Sequence, residues 1–353
     1  MNFDFSEEEQ AISDLTQQIF EDKVTHEHLR SLAKSEESFD RDLWVSLAET
    51  GIVGAVIDEE YGGAGLSFLS VTALLEMVGK YAAPVPALET VVTGALPIQE
   101  FGNASQKAEY LSKIADGQLI VTTALISSEE ATVEANRISG SFDFVSFGLE
   151  ADIFLLPSND NVFIVESATA GVSLEPRATT TGHPQAALVL NDVKAEQLGT
   201  ISSEEFLEWI RLRIDSAICS IMTGACEASL DLASQYTKIR QQFDRAIATF
   251  QAVSQRAGDA YIDTEAVRLT SRQAAWRISA GLPAIEQVAI ARWWASEAGF
   301  RVVHAATHLH GGVGVDRDYP LHRYFLMTRQ LELTMGNSEE QLEKLGNFLA
   351  NKA

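Results

Sequence analysis

The sequence predicts an α+β multidomain chain: an N-terminal helical domain, a middle β-barrel or sandwich, and a C-terminal helical bundle. Three observations carry this. Helical periodicity fills the first third, short β-rich runs fill the middle, and three long Ala-rich periodic stretches follow. The expected boundaries are residues 1–117, 118–200 and 201–353.

Ser6 followed by Glu9 reads as a capping box that opens the first helix, EEEQAISDLTQQIFEDKV. Further helical windows are residues 40–50, 69–81, 88–101 and 105–115. Between two of them lies DEEYGGAGLS, residues 58–67, whose three glycines in four positions predict a tight turn of bare backbone. From about Gln118 the period changes. LIVTTALIS, RISGSFDFVSFG, DIFLLPS, NVFIVES, GVSLEP and AALVLNDV read as strands broken by Gly, Asn, Asp and Pro, and the module ends near Gly199. The acidic stretch 127–136 reads as a loop. Long helices are expected over 206–240, 249–280 and 284–310, and shorter ones over 319–331 and 338–350.

Composition narrows the function. With 46% apolar and 22% charged residues, the 353-residue chain is long enough for several packed layers. It has no run near ~18 apolar residues, so no membrane span is expected. MNFDFSEEEQ has neither a basic nor an apolar leader region, so a cytoplasmic location is expected. A net charge of −24 disfavours nucleic acid and requires that any anionic cofactor be held by local positive groups. Cys219 and Cys226 lie about two helical turns apart, ~10 Å, too far for a bridge. Both read as reduced, buried small hydrophobes.

Two stretches could carry chemistry. KIRQQFDRAIATFQAV places Arg240, Phe243, Arg245 and Gln251 around a helix break at 244–246. Two guanidiniums and a following helix N-terminus suit a diphosphate, and they equally suit a plain surface cluster. HAATHLHGGVGV ends a long helix with His308, His310, Gly311, Gly312 and Gly314, where glycine gives either a close backbone approach or simple C-capping. His304 and His308 have the i, i+4 spacing of a metal pair but no acidic partner, and no metal is expected. The chain contains no Gly-x-Gly-x-x-Gly after a strand, no P-loop and no Gly-x-Ser-x-Gly.

In this order the pieces resemble the acyl-CoA dehydrogenase family over nearly the whole chain. DEEYGGAGLS is similar to its Glu-Tyr-Gly-Gly turn. IRQQFDRAIATFQAV is similar to its Arg-x-x-Phe-Gly signature and the Phe-Gln that follows. ARWWASEAGFRVVHAATHLHGGVGVDRDYPLHRYF is similar to its stretch from the penultimate long helix through a Gly-Gly turn. The resemblance implies a C-terminal four-helix bundle, FAD and an acyl-CoA thioester. It implies that a carboxylate takes the α-proton while the β-hydrogen leaves as hydride to the flavin, and that an electron-transfer flavoprotein accepts the electrons. It also implies an interdigitated dimer. Arg240, Phe243, Gln251, His308, Gly311 and Gly312 match positions that contact the diphosphate and adenosine of the neighbouring subunit's FAD.

The chain departs from the family in two places. The joint within RQLELTMGNSEEQ, with Asn337 or Ser338 as the next helix cap, carries Thr334, Met335, Gly336 and Asn337 where much of the family has Tyr-Glu-Gly-Thr. A thioether cannot take an α-proton. Some members place the base on the first long C-terminal helix, and that position is Ile214 here. Asp215 beside it is the remaining carboxylate, turned by ~100°, and reads as a base, a surface charge or an ion-pair partner. In the middle domain the family's Thr-Glu-Pro-Gly-x-Gly-Ser loop is replaced by a stretch carrying Glu129, Glu130 and Glu134, with no glycine before Gly140. Phe144, Val145 and Ser146 retain part of the aromatic-Ile-Thr/Ser strand that lies against the flavin. Ser146 either bonds a flavin edge or faces solvent.

The resemblance therefore implies an acyl-CoA dehydrogenase-type subunit of a hetero-oligomer, whose sister chain supplies the base and most of the flavin pocket. Paired subunits of this kind occur among bacterial enzymes for bulky acyl groups such as steroid side chains. The alternatives are a self-sufficient homo-oligomer using Asp215 or another carboxylate, and a flavin-free acyl-CoA-binding or assembly protein.

Overall fold

A computed structural model describes residues 5–35, 37–158 and 160–352, apart from the side chains of 128–130 and 352. The N-terminal helices are α1 (Glu7–Lys23), α2 (His26–Leu32), α3 (Arg41–Glu49) and α4 (Phe68–Tyr81). A π-helix (Leu88–Ala95) then runs into α5 (Leu96–Phe101), and α6 is Ala104–Ala115. The capping box is present: Glu9 N–H donates to Ser6 Oγ at 3.1 Å, and Ser6 N–H donates to the Glu9 carboxylate at 2.9 Å. In the glycine turn, a Cβ on Gly63 would stand 2.0 Å from the Ile57 carbonyl, so the chain can close there only with bare backbone.

Two four-stranded sheets follow, ordered β1-β4-β5-β8 and β2-β3-β7-β6. Their strands are β1 (Val121–Thr123), β2 (Ser127–Glu134), β3 (Arg137–Ser146), β4 (Ile153–Ser158), β5 (Asn161–Glu166), β6 (Val172–Arg177), β7 (Gln185–Lys194) and β8 (Glu196–Gln197). Phe154, Leu156 and Phe163 of one sheet share a core with Phe142 and Leu188 of the other, which makes the module a sandwich.

The stretch expected as an acidic loop is strand β2. It pairs antiparallel with β3 through a two-residue turn, Ala135 and Asn136, both left-handed at φ 47° and 63°. Ala131 is buried and Val133 half-buried, while Thr132 and Glu134 are exposed. That alternation is the strand signal, and the run of serines and glutamates before it hides it from composition. The side chains of Glu129 and Glu130 lie outside the described residues.

The C-terminal bundle consists of α7 (Ser203–Ile239), α8 (Gln251–Ser279), α9 (Ile285–His310) and α10 (Leu321–Leu333), with α11 (Ser338–Lys352) laid on α9. N-terminal α4 packs directly on α7. A Cβ on Gly79 would lie 1.8 Å from the Ile221 carbonyl, and one on Gly224 would lie 1.9 Å from the Glu76 carbonyl. This crossing needs glycine on both helices. Cys219 and Cys226 are free and buried, and burial pushes both thiols up to about 12. Among the described residues no helix is long and apolar enough to cross a membrane.

Candidate functional site

The residues matched to the diphosphate, Arg240, Phe243, Gln251, His308, Gly311 and Gly312, are all exposed. Arg240 ends α7 in an extended conformation, its N–H donating to the Tyr236 carbonyl. The expected helix break is a small hairpin, β9 (Gln241–Gln242) and β10 (Arg245–Ala246), turning at Phe243 and Asp244 with φ 53° and 60°. Phe243 stands 86% exposed at its tip. The Arg245 guanidinium covers the Phe250 ring at 4.1 Å, which occupies it locally. Gln251 is exposed as the first residue of α8.

At the end of α9, His308 and both Gly311 and Gly312 are exposed, and a Cβ on either glycine would meet nothing within 4 Å. Gly311 holds φ 61°. Exposed guanidinium, exposed amide side chain and open glycine backbone fit a diphosphate approached from outside this chain. His310, in the same motif, has another role. Its Nδ1 bonds the Ala306 carbonyl at 2.7 Å, its Nε2 bonds Tyr319 Oη at 3.0 Å, and Tyr236 stacks on it at 4.5 Å. It fastens the turn to α7. His304 lies between the rings of Phe300 and Phe325.

The joint after α10 is built differently. Met335 is left-handed at φ 63° and Gly336 follows at 108°. Asn337 rather than Ser338 caps α11, its Oδ1 accepting from Glu340 N–H at 3.0 Å. Ile214 is buried, Met335 is partly buried, and both belong to one apolar cluster. Asp215 is buried on α7, which corrects the surface-charge reading. Its partner is Arg292, whose Nε reaches Asp215 Oδ1 at 3.3 Å.

Arg292 is fully buried. Its Nη2 donates to the carbonyls of Leu331 and Thr334, each at 2.6 Å, and its Nη1 donates to Ser296 Oγ at 2.9 Å. Burial pushes the Asp215 carboxyl above the usual carboxylate range, while Arg292 pulls it down. Sequence reasoning missed Arg292. Its only signal is a lone cation among apolar residues in AIARWWASEA.

A third group sits where β3 ends. Ser146 Oγ bonds the Glu89 carboxylate at 2.5 Å and His183 Nε2 at 2.6 Å. Glu89 lies on the π-helix and is buried; burial pushes it up to about 7, against the Ser146 hydrogen bond. Burial lowers His183, on the β6–β7 loop, to about 4, although its side chain is still 31% exposed. Ser146 is half-buried and is held on both sides by these two contacts. Phe144 next to it is left-handed at φ 54° and 56% exposed, in a bulge of β3. The one hydroxyl matched to the flavin has its proton engaged within this chain, between Glu89 and His183, and keeps one lone pair. Glu89 and His183 were also missed from sequence. The larger described cavity, about 410 Å³, opens elsewhere, between Asp160 and the first turns of α7.

Helices at both ends of a β-sandwich are the arrangement expected of an acyl-CoA dehydrogenase. A family profile described as acyl-CoA dehydrogenase, N-terminal domain, matches residues 6–118, and one described as acyl-CoA dehydrogenase, C-terminal domain, matches residues 202–350. Acyl-CoA dehydrogenase FadE27 of Mycobacterium tuberculosis is 36% identical, with 99% of each chain covered. Among solved structures, the ChsE4–ChsE5 complex of Mycobacterium tuberculosis matches with a TM-score of 0.93 at 36% identity, covering 99% of each chain. A point variant of the Tcur3481–Tcur3483 steroid ACAD matches with a TM-score of 0.91 at 35% identity, covering 98% of each. The chain belongs to the acyl-CoA dehydrogenase family, and it is a subunit of that type.

Proposed function

We propose that this chain works paired with a sister acyl-CoA dehydrogenase subunit, and that the sister holds the catalytic base and the working FAD. The observation that carries this is the fate of the two family base positions. Both are apolar, Met335 and Ile214, and the adjacent Asp215 is tied to the buried Arg292. That carboxylate is committed to the cation, and turning it toward a substrate would strand a fully buried guanidinium. Asp215 is then a positioning residue for the joint.

What this chain supplies is the outward face. Arg240 would clamp the diphosphate of the sister's FAD, Gln251 would add an amide, and the backbone of Gly311 and Gly312 would lie against the adenosine side with Phe243 and His308. When bound, the flavin supplies the hydride acceptor for α,β-dehydrogenation of an acyl-CoA, and the sister's carboxylate takes the α-proton. An electron-transfer flavoprotein is the expected electron acceptor. Two of the similar structures have names that join two proteins, and one is named a steroid enzyme. Both names support a sister subunit, and the second supports a bulky, steroid-type acyl group.

The test is to purify the chain alone and with a co-expressed sister subunit, then record visible spectra and acyl-CoA turnover. The proposal expects a colourless, inactive chain and a yellow, active complex. A chain that is yellow and active alone would favour a self-sufficient enzyme, and one colourless in both preparations would favour a flavin-free binding or assembly protein.

A further inference from the structure

The contacts of Glu89, Ser146 and His183 are the inner end of a longer hydrogen-bonded path. His183 N–H donates to Thr181 Oγ1 at 3.0 Å, and the His183 carbonyl accepts from Thr179 Oγ1 at 2.9 Å. The Thr181 hydroxyl donates to the side-chain oxygen of Gln330 on α10. The Gln330 carbonyl accepts from Thr334 N–H at 3.0 Å and from the Thr334 hydroxyl at 2.9 Å. The Thr334 carbonyl in turn accepts from Arg292 on α9 at 2.6 Å. The path starts on the N-terminal π-helix, crosses the end of β3 and the β6–β7 loop, and finishes in the C-terminal bundle.

The inner end is satisfied from within the chain. A serine hydroxyl has one proton to donate and two lone pairs, so these two contacts engage its proton and leave one lone pair. With Glu89 ionised, Ser146 donates to it and accepts from His183 Nε2–H. With Glu89 protonated, the order reverses and Ser146 donates to His183. Either order satisfies all three groups from within the chain. If a ring were wedged between them, the polar groups would each lose a partner that an aromatic edge replaces only in part.

We propose that this path is a built-in closure, which ties the position matched to the flavin into this chain's own hydrogen bonds and holds the three parts of this subunit together without a flavin. The inference rests on the reading that the working FAD belongs to the sister's cleft. It assigns Ser146 a bridging role inside this chain. It also makes Thr181 and Gln330 the outer clasp between the sandwich and the bundle.

Hydrogen–deuterium exchange on the chain alone tests this, comparing wild type with Ser146→Ala and Ser146→Thr. The expected result is slow exchange at residues 88–95, 179–184 and 329–335 in the wild type. Ser146→Ala should speed all three by about tenfold, the loss expected of one bridging hydrogen bond. Residues 217–226 within α7 should not change, and Ser146→Thr, which keeps the hydroxyl, should restore protection. Should Ser146→Ala fail to fold, Thr181→Val cuts the outer clasp and should loosen 179–184 together with 329–335. Faster exchange confined to β3, a wild type unprotected at these segments, or no rescue by threonine would overturn the closure. A colourless chain with uncoupled exchange overturns the closure alone. A yellow chain overturns the assignment of FAD to the sister as well.

Discussion

Glu89 makes a prediction in which direction and size both follow from burial. Its carboxyl is pushed from the ordinary 4.5 up to about 7, with desolvation as the main cause. Between those values the folded chain holds a proton that the unfolded chain has released, so stability must fall as pH rises. The isoelectric point near 4.6 makes work close to it impractical, so the useful window is from about pH 5.5 to about pH 7.5. From pH 5.5 to the folded value of about 7, the loss is about 2 kcal/mol.

His183 works the other way. Its folded value of about 4 lies below the ordinary 6.5, so the unfolded chain binds the extra proton and stability rises with pH up to about 6.5. Its 31% exposure reduces that gain below the about 1.4 kcal/mol that the shift alone would give over this window. Together the two nearly cancel below pH 6.5. Glu89→Gln keeps the shape and a hydrogen-bond donor while removing the titration. Urea midpoints of wild type and Glu89→Gln across the window should therefore converge at the acid end and separate by up to about 2 kcal/mol toward neutrality, with the variant the more stable. Groups remote from Glu89 contribute equally to both chains and drop out of the difference; His183, which shares the Ser146 hydroxyl, is the one group whose titration the substitution can shift. Parallel curves, or a wild type that gains on the variant as pH rises, would refute the burial argument.

Three further outcomes follow from the site. Arg240→Ala should cut FAD retention in the co-purified complex by about tenfold after gel filtration without added flavin, the effect of losing one charge-assisted diphosphate contact; equal retention would remove Arg240 from the diphosphate face. Met335→Glu should leave the chain alone unable to bleach flavin in single turnover with any acyl-CoA, because it restores a carboxylate but leaves Ser146 bonded to Glu89 and His183. Flavin reduction by that variant would show a usable cleft. Arg292→Leu should destabilise the chain by about 3–5 kcal/mol in urea melts, since it strands Asp215 and frees the carbonyls of Leu331 and Thr334, and Asp215→Asn on top of it should recover part of the loss.

What could be read in the sequence was what short stretches encode. The capping box at Ser6 and Glu9, the bare turn at Gly63, the three long helices and the open glycines after α9 each depend on neighbours a few residues away. The acidic run before Ala131 concealed β2, because the alternation that marks a strand is visible only from Ala131 onward. The central polar groups were not legible for a different reason. Glu89, Ser146, His183 and Gln330 come from the π-helix, β3, a loop and α10, and no local pattern announces that they will meet. Arg292 looks like any helix cation until packing places it against Asp215. Met335 was legible as an absence of chemistry, and its left-handed backbone was not, since only the turn into α11 demands it.

The central claim is that this chain keeps the half of a shared site that serves a sister subunit and has closed its own half. The most direct measurement is the number of flavins bound per chain in the co-purified complex and in the chain alone, from the visible spectrum and protein content. The account predicts one flavin per pair of unlike chains and none on this chain by itself. A flavin on every chain, or a yellow chain that dehydrogenates acyl-CoA without a partner, would contradict it.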